Sequence, residues 1–424
     1  MERLDIQKLK IWKDSHRRKP LIIDGARQVG KTWLVKEFAR RYYKSLAYIN
    51  FEENVFLRSL FETDFNIDRI TAAISAATHV NCMAGDTLIF LDEIQEAKNG
   101  ITALKYFYEN APQLHVIVAG SLLGIEIHRR LSFPVGKVQF LTLYPMNFRE
   151  FLLAMGEMEL AGMLVENRWD EISMFAPKLK ELLKYYYYVG GMPEVVQSFS
   201  QFRDWQEVRD IQIEILKSYE RDFSKYAPGD IAPRICDLWL SLPSQLSREH
   251  RKFVYGLVKE GARAREYEIA LQWLIDGGLV RRVNAVKVPR IPLKSYEDRS
   301  AFKIYCIDIG LLGAMAELDS MTIVNGNTIF TEFKGALTEQ YVHQQLSARH
   351  NLYYYSKPNS QQEIDFLIQE GKDIVPIEVK AEVNVKAKSL RQFVKENQSC
   401  RAYRISMNDY SIQDWLTNIP LYSL

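Results

Sequence analysis

The sequence predicts an α/β protein with several domains, and three stretches carry that prediction. Residues 21–39, LIIDGARQVGKTWLVKEFA, have the order strand, glycine-containing loop and helix that is typical of a doubly wound parallel sheet. Residues 85–95, GDTLIFLDEIQ, contain the continuous apolar run of a buried parallel strand. Residues 363–380, EIDFLIQEGKDIVPIEVK, indicate two strands joined by a turn.

Composition places the chain among globular proteins. Hydrophobic residues make up 47% and charged residues 25% of its 424 residues, a length sufficient for two or three domains. The formal net charge is only +2, so any contact with DNA has to come from local basic patches. No run is apolar and long enough to span a bilayer, and the first residues lack the apolar core of a signal peptide. We therefore expect a cytoplasmic protein that does not bind membranes.

Cysteine usage fits a reducing cytosol. The cysteines lie far apart in the sequence and lack the spacing of a metal site, so single thiols are expected. They are Cys82, Cys236, Cys306 and Cys400.

The glycine-containing loop predicts a phosphate site. GARQVGKT has the spacing G-x-x-x-x-G-K-S/T, which curls the backbone so that its N–H groups point at phosphate. Lys31 would reach the β and γ oxygens of a nucleotide, and the Thr32 hydroxyl would hold Mg²⁺. A chance match is the alternative, but the flanking strand and helix argue against it. The predicted nucleotide-binding residues are Gly25, Ala26, Arg27, Gln28, Val29, Gly30, Lys31, Thr32 and Trp33.

Two further strands support this site. The strand Leu88 to Leu91 ends in Asp92 and Glu93, which would hold Mg²⁺ through water and deprotonate the attacking water, respectively. A third strand, within residues 115–124, ends at Ser121, whose hydroxyl would touch the γ-phosphate or the water. A solvated turn is the alternative for the acidic pair. ATP is favoured over GTP because the sequence lacks N/T-K-x-D, the guanine-reading motif.

The middle of the chain is predicted to be helical. Residues 146–229 show amphipathic helical periodicity. Residues 231–290 contain three helical patterns, the second being HRKFVYGLVKE, followed by strand-like RRVNAVKV, an order typical of a winged helix. Packing within a multi-domain protein is the alternative use of such a module. The candidate DNA contacts are Arg263, Arg265 and Tyr267 on the third helix and Arg281, Arg282, Lys287 and Arg290 on the wing.

The C-terminal hairpin predicts a second metal site. Folding at its turn brings Asp365 close to Glu378, and strand alternation puts Lys380 on the same face as Glu378. Two carboxylates and a lysine are what metal-assisted phosphodiester cleavage requires: the carboxylates bind Mg²⁺ and the lysine orients or helps deprotonate water. The alternatives are a solvated face with an Asp–Lys ion pair, or the same fold without cleavage. Lys386, Lys388 and Arg391 follow on a basic helical segment that could meet a phosphate backbone.

These motifs together resemble the AAA-type ATPases of bacteria and archaea, in particular a subgroup with a C-terminal nuclease-like domain. The resemblance rests on GARQVGKT, LIFLDEIQ, AGS, PVGKVQFLTLYPMNFREFL and YYVGGMPEVV. It implies that Ser121 is a sensor residue. Lys137 stands where the family usually has arginine and lacks the planar fork of arginine. Arg129 and Arg130 are therefore further candidates for an arginine finger, with solvated helical charges as the alternative.

The C-terminal pattern D-x₁₂-E-x-K resembles the restriction-endonuclease-like, PD-(D/E)xK superfamily. In this sequence Asp365 lacks the preceding proline. The helical Glu339 falls where that superfamily often has a further acidic metal ligand.

The predicted organisation is a P-loop AAA-type ATPase core at residues 1–145, a helical lid at 146–229, a winged-helix-like module at 230–292 and a restriction-endonuclease-like α/β domain at 293–424. Two functions follow. In the first, ATP hydrolysis repositions the C-terminal site on double-stranded DNA, which that site cleaves. In the second, the chain is a nucleotide-dependent switch for a protein partner, with a non-cleaving nuclease-like scaffold. Homo-oligomers are compatible with both.

Overall fold

The computed structural model describes residues 1–121, 125, 133–247, 252–320, 331–357, 362–381, 387–397 and 401–424, with only the backbone for residues 331–333. Arg129, Arg130 and Lys386 lie outside these residues. The chain divides into two compact units. The N-terminal unit comprises residues 2–144 with 276–278, and the C-terminal unit comprises residue 1, residues 145–275 and residues 279–424.

The N-terminal unit contains a five-stranded parallel sheet with the strand order β2-β3-β4-β1-β5. The strands are β1 (Leu21–Asp24), β2 (Ser45–Asn50), β3 (Thr87–Asp92), β4 (His115–Ala119) and β5 (Gln139–Thr142). The helices are α1 (Ile6–Asp14), α2 (Lys31–Tyr42), α3 (Ile67–Thr78) and α4 (Gly100–Asn110). The three strands and the helix α2 expected from the local pattern are confirmed.

The core of this unit explains why its strands are parallel and central. All residues of β3 are buried, as are all residues of β4. Strands with both faces covered need continuous apolar sequence, which LIFL and HVIVA provide. On one side, Ile22, Ile89 and Val118 join a single apolar cluster with residues of α3 and α4. The sheet is thus held rigidly, and the carboxyl ends of β1, β3 and β4 lie side by side.

The C-terminal unit begins with helices. They are α5 (Phe148–Ala154), α6 (Met158–Glu166), α7 (Trp169–Met174), α8 (Ala176–Val189), α9 (Pro193–Phe202), α10 (Trp205–Tyr226), α11 (Ala232–Leu246) and α12 (Ala264–Asp276). Later helices are α13 (Ile309–Met315), α14 (Thr331–Leu346) and α15 (Lys388–Asn397). No helix among the described residues is long and apolar enough to cross a membrane.

An eight-stranded mixed sheet completes the C-terminal unit, with the order β12-β13-β11-β10-β9-β8-β6-β7. The strands are β6 (Val280–Val286), β7 (Glu297–Cys306), β8 (Tyr353–Ser356), β9 (Glu363–Glu370), β10 (Asp373–Val379), β11 (Tyr403–Ser406), β12 (Ser411–Ile412) and β13 (Thr417–Pro420). The expected hairpin is present, since β9 and β10 pair antiparallel around Gly371.

The segment that the sequence suggested as a winged helix differs from that expectation in two places. HRKFVYGLVKE was expected to be a helix, but its described residues contain only a 3-10 turn at Tyr255–Leu257. The segment is instead held against β7, where Phe253 N donates to Phe302 O and the two rings stack 5.1 Å apart. The expected wing strand β6 pairs with β7 on one side and with β8 on the other, so it is an inner strand of the sheet.

The two faces of this sheet are fixed by the helices that cover them. Ile377 on β10 pairs with Phe366, whose ring centroid lies 6.4 Å from that of His343 on α14. Ile374 packs against the apolar cluster that contains Phe393 of α15. Because side chains alternate along a strand, odd-numbered positions of β10 face α14 and even-numbered positions face α15.

A β-bulge interrupts the pairing of β8 with β9. Tyr353 pairs with Leu367 and Tyr355 pairs with Ile364, so β9 has one residue more than β8 between the paired positions. Between the paired positions, β9 contains Asp365 and Phe366, whereas β8 contains only Tyr354. Bulges of this kind re-aim a side chain, and here the side chain belongs to a predicted metal ligand.

Candidate functional site

The loop between β1 and α2 has the backbone geometry of a phosphate cradle. Gly25 and Gly30 have φ angles of 128° and 92°, and Gln28 between them has 65°, in the left-handed region. A Cβ on Gly25 would lie 2.3 Å from the carbonyl oxygen of Leu143, so only glycine fits there. Helix α2 starts directly at Lys31, and the unpaired N–H groups of its first turn therefore face the loop.

Lys31 lies inside this loop. Its side chain is buried, and Nζ donates to the carbonyl oxygens of Gly25, at 2.8 Å, and of Ala26, at 2.7 Å. Burial lowers its pKa to about 8, and the nearby carboxylates Glu93 and Asp92 oppose this shift. The ammonium therefore bonds to loop carbonyls, and no carboxylate of the described residues lies within ion-pairing distance of it.

Thr32 and Asp92 meet at the carboxyl edge of the sheet. Thr32 Oγ1 donates to Asp92 Oδ2 at 2.7 Å, and the Tyr48 hydroxyl donates to the same oxygen at 3.3 Å. Burial is the largest cause of a raised pKa at Asp92, although the bond from Thr32 opposes it. A buried carboxylate beside a hydroxyl oxygen is a hard-oxygen donor set of the kind that suits Mg²⁺.

Glu93 is held by Ser121. Ser121 Oγ donates to Glu93 Oε1 at 2.7 Å, and Ser121 N donates to Oε2 at 3.1 Å. The side-chain amide of Gln95 donates to Oε2 as well. Strand β4 lies between β1 and β3, which brings Ser121 next to the acid that follows β3. The sequence suggested that Ser121 would touch phosphate or water; its described contact is with the carboxylate.

The remaining predicted residues of this unit have more ordinary surroundings. Trp33 is 38% exposed on the first turn of α2. Lys137 forms a half-exposed ion pair with Glu109 at 3.1 Å and lies 5.3 Å from the ring centroid of Tyr108. Lys137 is thus engaged at the surface of its own unit.

Arg3 belongs to the loop, although no sequence motif pointed to it. Its side chain is 3% exposed, and its guanidinium donates to Val29 O at 2.9 Å and to Tyr144 O at 2.7 Å. It therefore braces the phosphate loop against the segment that follows β5. Only an isolated arginine before a short helix was visible in the sequence, and such a residue is usually solvated.

The C-terminal hairpin brings Asp365 and Glu378 together. The β9–β10 register pairs Phe366 with Ile377, so Asp365 and Glu378 occupy the next opposed positions. Asp365 Oδ2 accepts the backbone N–H of Val379 at 2.7 Å. Two predicted metal ligands are therefore neighbours, as the turn position suggested.

Glu378 is the most constrained acid at this place. Its side chain is buried, Oε1 pairs with Lys380 Nζ at 3.0 Å, and Oε2 has no hydrogen-bond partner within the described part of the chain. Burial raises its pKa; the charge of Lys380 opposes the shift and that of Asp365 adds to it. An unpartnered buried carboxylate oxygen is costly, and a cation would satisfy it.

Glu339 lies elsewhere. On α14 it pairs with Lys303 Nζ at 3.3 Å and accepts a hydrogen bond from the Tyr305 hydroxyl, while Lys303 also pairs with Glu363 at 2.7 Å. This network is on the α14 face of the sheet, whereas Glu378, at an even position of β10, faces α15. The described residues contain no group of three or more His, Cys, Asp or Glu side chains arranged to hold a metal ion.

The predicted DNA contacts are scattered. Tyr267 is buried, and its hydroxyl bonds to Asp237 Oδ2 at 3.1 Å, so it packs the helices. Arg282 lies 4.0 Å from the ring centroid of Phe302 and also bonds to Asn284. The exposed basic residues of the set are Arg263, Arg265, Lys287, Arg290 and, on α15, Lys388 and Arg391.

Residues 17–152 match the family model described as an AAA domain. Residues 180–322 and 334–424 match models described as domains of unknown function, DUF8612 and DUF4143. No curated protein matches the chain.

Two solved structures are similar at low identity. One is the Walker-type ATPase PABY2304 of Pyrococcus abyssi, 14% identical, covering 74% of this chain and 94% of that one, with a TM-score of 0.45. The other is the Aeropyrum pernix ORC1 protein in complex with DNA, 12% identical, covering 74% and 91%, with a TM-score of 0.29.

The parallel sheet with its phosphate loop and acidic strand end places the N-terminal unit in the class of P-loop nucleotide-binding domains. More particularly, residues 17–152 form an AAA-type ATPase domain.

Proposed function

We propose that the N-terminal unit binds ATP with Mg²⁺ and hydrolyses it. The proposal rests on one observation. Five side chains lie together where the carboxyl ends of the parallel strands meet the phosphate loop: Lys31, Thr32, Asp92, Glu93 and Ser121. Hydrogen bonds join four of them in two pairs, Thr32 with Asp92 and Ser121 with Glu93.

In this proposal each side chain has one task. The loop N–H groups and Lys31 bind the phosphates, and turning toward them requires Lys31 to leave the carbonyls of Gly25 and Ala26. Thr32 and Asp92 would hold Mg²⁺, which supplies neutralisation of phosphate charge when bound. Glu93 accepts a proton from the attacking water.

Nucleotide binding and turnover in two variants test this proposal. Lys31→Ala should abolish ATP binding because the loop loses its ammonium. Glu93→Gln should bind ATP like the wild type and hydrolyse it at least about a hundredfold more slowly, since the general base is gone. Equal hydrolysis by Glu93→Gln and wild type would remove Glu93 from the mechanism.

For the C-terminal unit we propose metal-dependent cleavage of double-stranded DNA, coupled to ATP use. The support is the juxtaposition of Asp365 and Glu378 and the unpartnered Oε2 of Glu378. Asp365 and Glu378 would hold a divalent cation, which supplies polarisation of the scissile phosphate when bound. Lys380 would orient the attacking water. The candidate phosphate contacts are the exposed basic residues Arg263, Arg265, Lys287, Arg290, Lys388 and Arg391.

A second candidate is a nucleotide-dependent switch for a protein partner, with the C-terminal sheet as a non-cleaving scaffold. Two observations favour it. Lys380 already neutralises Glu378, and Glu339 contributes to a different network on the other face of the sheet. Cytoplasmic location and homo-oligomer formation are compatible with either candidate.

Cleavage assays separate the two candidates. Supercoiled, linear and single-stranded DNA are incubated with the protein, ATP and Mg²⁺ or Mn²⁺. Under the first candidate, the wild type cleaves DNA, and Asp365→Ala and Lys380→Ala do not cleave it. Asp373→Ala is the control: it removes an acid at the far end of the same hairpin and should cleave like the wild type. Cleavage that persists in Asp365→Ala and Lys380→Ala, or that is absent from the wild type, rejects the site.

A further inference from the structure

A cavity of about 540 Å³ opens in the C-terminal unit, away from the carboxylate pair. Its walls are the end of α14, Trp169 at the start of α7, and the segments around β11, β12 and β13. This size lies in the range of sites for small organic ligands and exceeds what an inorganic ion fills.

Two arginines, Arg349 and Arg401, supply the positive charge of the cavity. The described lining residues also include His350, the acidic side chain of Asp414 and the last residue of the given sequence, Leu424, with its carboxylate. Within the described part of the chain, neither Arg349 nor Arg401 takes part in an ion pair. Arginine guanidiniums form strong bidentate hydrogen bonds with carboxylates and phosphates. Because Arg349 and Arg401 have no such partner among the described residues, they can bind an anion.

Arg149 is a third arginine that interacts with this group. It lies on α5 of the same unit, and its buried Nε has no hydrogen-bond partner among the residues that the structure describes. Burial lowers the pKa of Arg149, and the positive charge of Arg349 lowers it further. Two guanidiniums thus repel each other beside the cavity, and a bound anion would relieve that repulsion.

Aromatic side chains form another part of the cavity lining. The rings of Trp169 and Tyr410 stack with centroids 4.1 Å apart and an angle of 4° between their planes. Trp415 lines the same cavity and is half-buried. Flat, rigid aromatic surfaces next to arginines favour ligands that combine a planar ring with a negative group.

We propose that this cavity binds a phosphorylated nucleoside, with its phosphate at Arg349 and Arg401 and its base against the Trp169–Tyr410 wall. The ligand is either a free nucleotide or the phosphorylated terminal nucleotide of a nucleic-acid strand, since both present the same groups. This site is distinct from the phosphate loop, which belongs to the other unit.

Titration calorimetry on the full-length Lys31→Ala variant tests the proposal, because that substitution removes nucleotide binding at the phosphate loop. The probes are AMP, a short 5′-phosphorylated oligonucleotide and inorganic phosphate. The proposal expects one site per chain for AMP or the oligonucleotide, with inorganic phosphate binding at least about tenfold more weakly because it lacks the base. If AMP binds more tightly than the oligonucleotide, the ligand is a free nucleotide; if the oligonucleotide binds more tightly, the ligand is the phosphorylated end of a strand.

Arginine variants in the same background locate the site. Arg349→Ala and Arg401→Ala should each weaken binding by about tenfold or more, the worth of one charge-assisted hydrogen bond. Arg221→Ala, an exposed arginine on α10, loses the same charge and should bind like the parent. Because Arg349 and Arg401 are exposed, their loss should leave the fold intact.

The proposal is overturned by any of three results. These are no binding of AMP and of the oligonucleotide, binding of inorganic phosphate as tight as theirs, or cavity variants that bind as well as Arg221→Ala.

Discussion

The Ser121 side chain and the Glu93 carboxylate are joined by a hydrogen bond of 2.7 Å, and the backbone N–H of Ser121 reaches the other carboxylate oxygen at 3.1 Å. Both oxygens of the proposed general base are thus occupied by donors. Glu93 also has a φ of 50°, a left-handed conformation that a non-glycine residue adopts at some cost. These donors compete with water for the lone pairs of the carboxylate and favour its charged form, so they restrain it as a base.

We predict that Ser121→Ala speeds basal ATP hydrolysis. Loss of one hydrogen bond to the carboxylate, worth about 1.5 kcal/mol, should raise kcat roughly tenfold because Glu93 is then less restrained. Steady-state kinetics measure the effect. Ser45→Ala serves as control, since its hydroxyl bonds to Thr87 at the opposite end of the same sheet. A fall in kcat for Ser121→Ala would mean that Ser121 positions Glu93 and does not restrain it.

ATP affinity should fall as the pH rises above about 8. Burial lowers the pKa of Lys31 to about 8 in the protein without nucleotide, whereas bound phosphate favours the ammonium. Between the two pKa values, binding takes up one proton, so the association constant should drop about tenfold per pH unit. Binding measured by calorimetry at pH 7, 8 and 9 tests this.

Lys31→Arg provides the control for that pH profile. Arginine stays charged throughout this range, so its affinity, whatever its absolute value, should be flat between pH 8 and 9. A wild-type profile as flat as that of Lys31→Arg would contradict the lowered pKa.

Arg3→Met should loosen the phosphate loop. The substitution removes two charged hydrogen bonds to Val29 and Tyr144 while keeping an apolar side chain of similar length. Since such bonds contribute about 1.5–3 kcal/mol each, faster amide exchange in the loop and an ATP affinity at least about tenfold weaker are expected. Arg17→Met, at an exposed arginine, should change neither quantity. Unchanged loop exchange in Arg3→Met would show that the brace is dispensable.

Divalent metal should stabilise the wild type through Glu378. Because its pKa is raised, Glu378 favours the folded state fully at acidic pH and less as the pH rises through the folded-state pKa. At pH 7, metal at 100 times its Kd should add about 2.7 kcal/mol and raise Tm. Glu378→Gln should lose that rise, whereas Glu370→Gln, at the turn end of the neighbouring strand β9, should keep it. Equal metal-induced shifts in both variants would place the metal elsewhere.

Much of the N-terminal unit is predictable from sequence because its information is local. Strand, loop and helix follow one another directly from Leu21 to Tyr42, and the spacing of Lys31 and Thr32 is set by one tight turn. Asp92 is predictable because parallel strands end at one edge. The bond from Ser121 to Glu93 was not predictable, because it depends on β4 lying between β1 and β3.

Local sequence patterns predict less of the C-terminal unit, because several of its contacts join residues far apart in the chain. The Asp365–Glu378 pairing follows from a single hairpin, so it was visible in the sequence. Glu339 had the right residue type on a helix, but the face that this helix covers is fixed by contacts with Lys303 and Tyr305, far along the chain. HRKFVYGLVKE has helical periodicity, yet packing of Phe253 on Phe302 overrides it.

The position of β6 in the large sheet has a practical consequence. A fragment cut at residue 293, the start of the expected nuclease-like domain, would strip β8 of its neighbour and leave β7 without a partner strand. Two rows of backbone N–H and C=O groups would then be open to pairing with other molecules, which invites aggregation. Residues 280–286 thus form an inseparable part of the module that follows them.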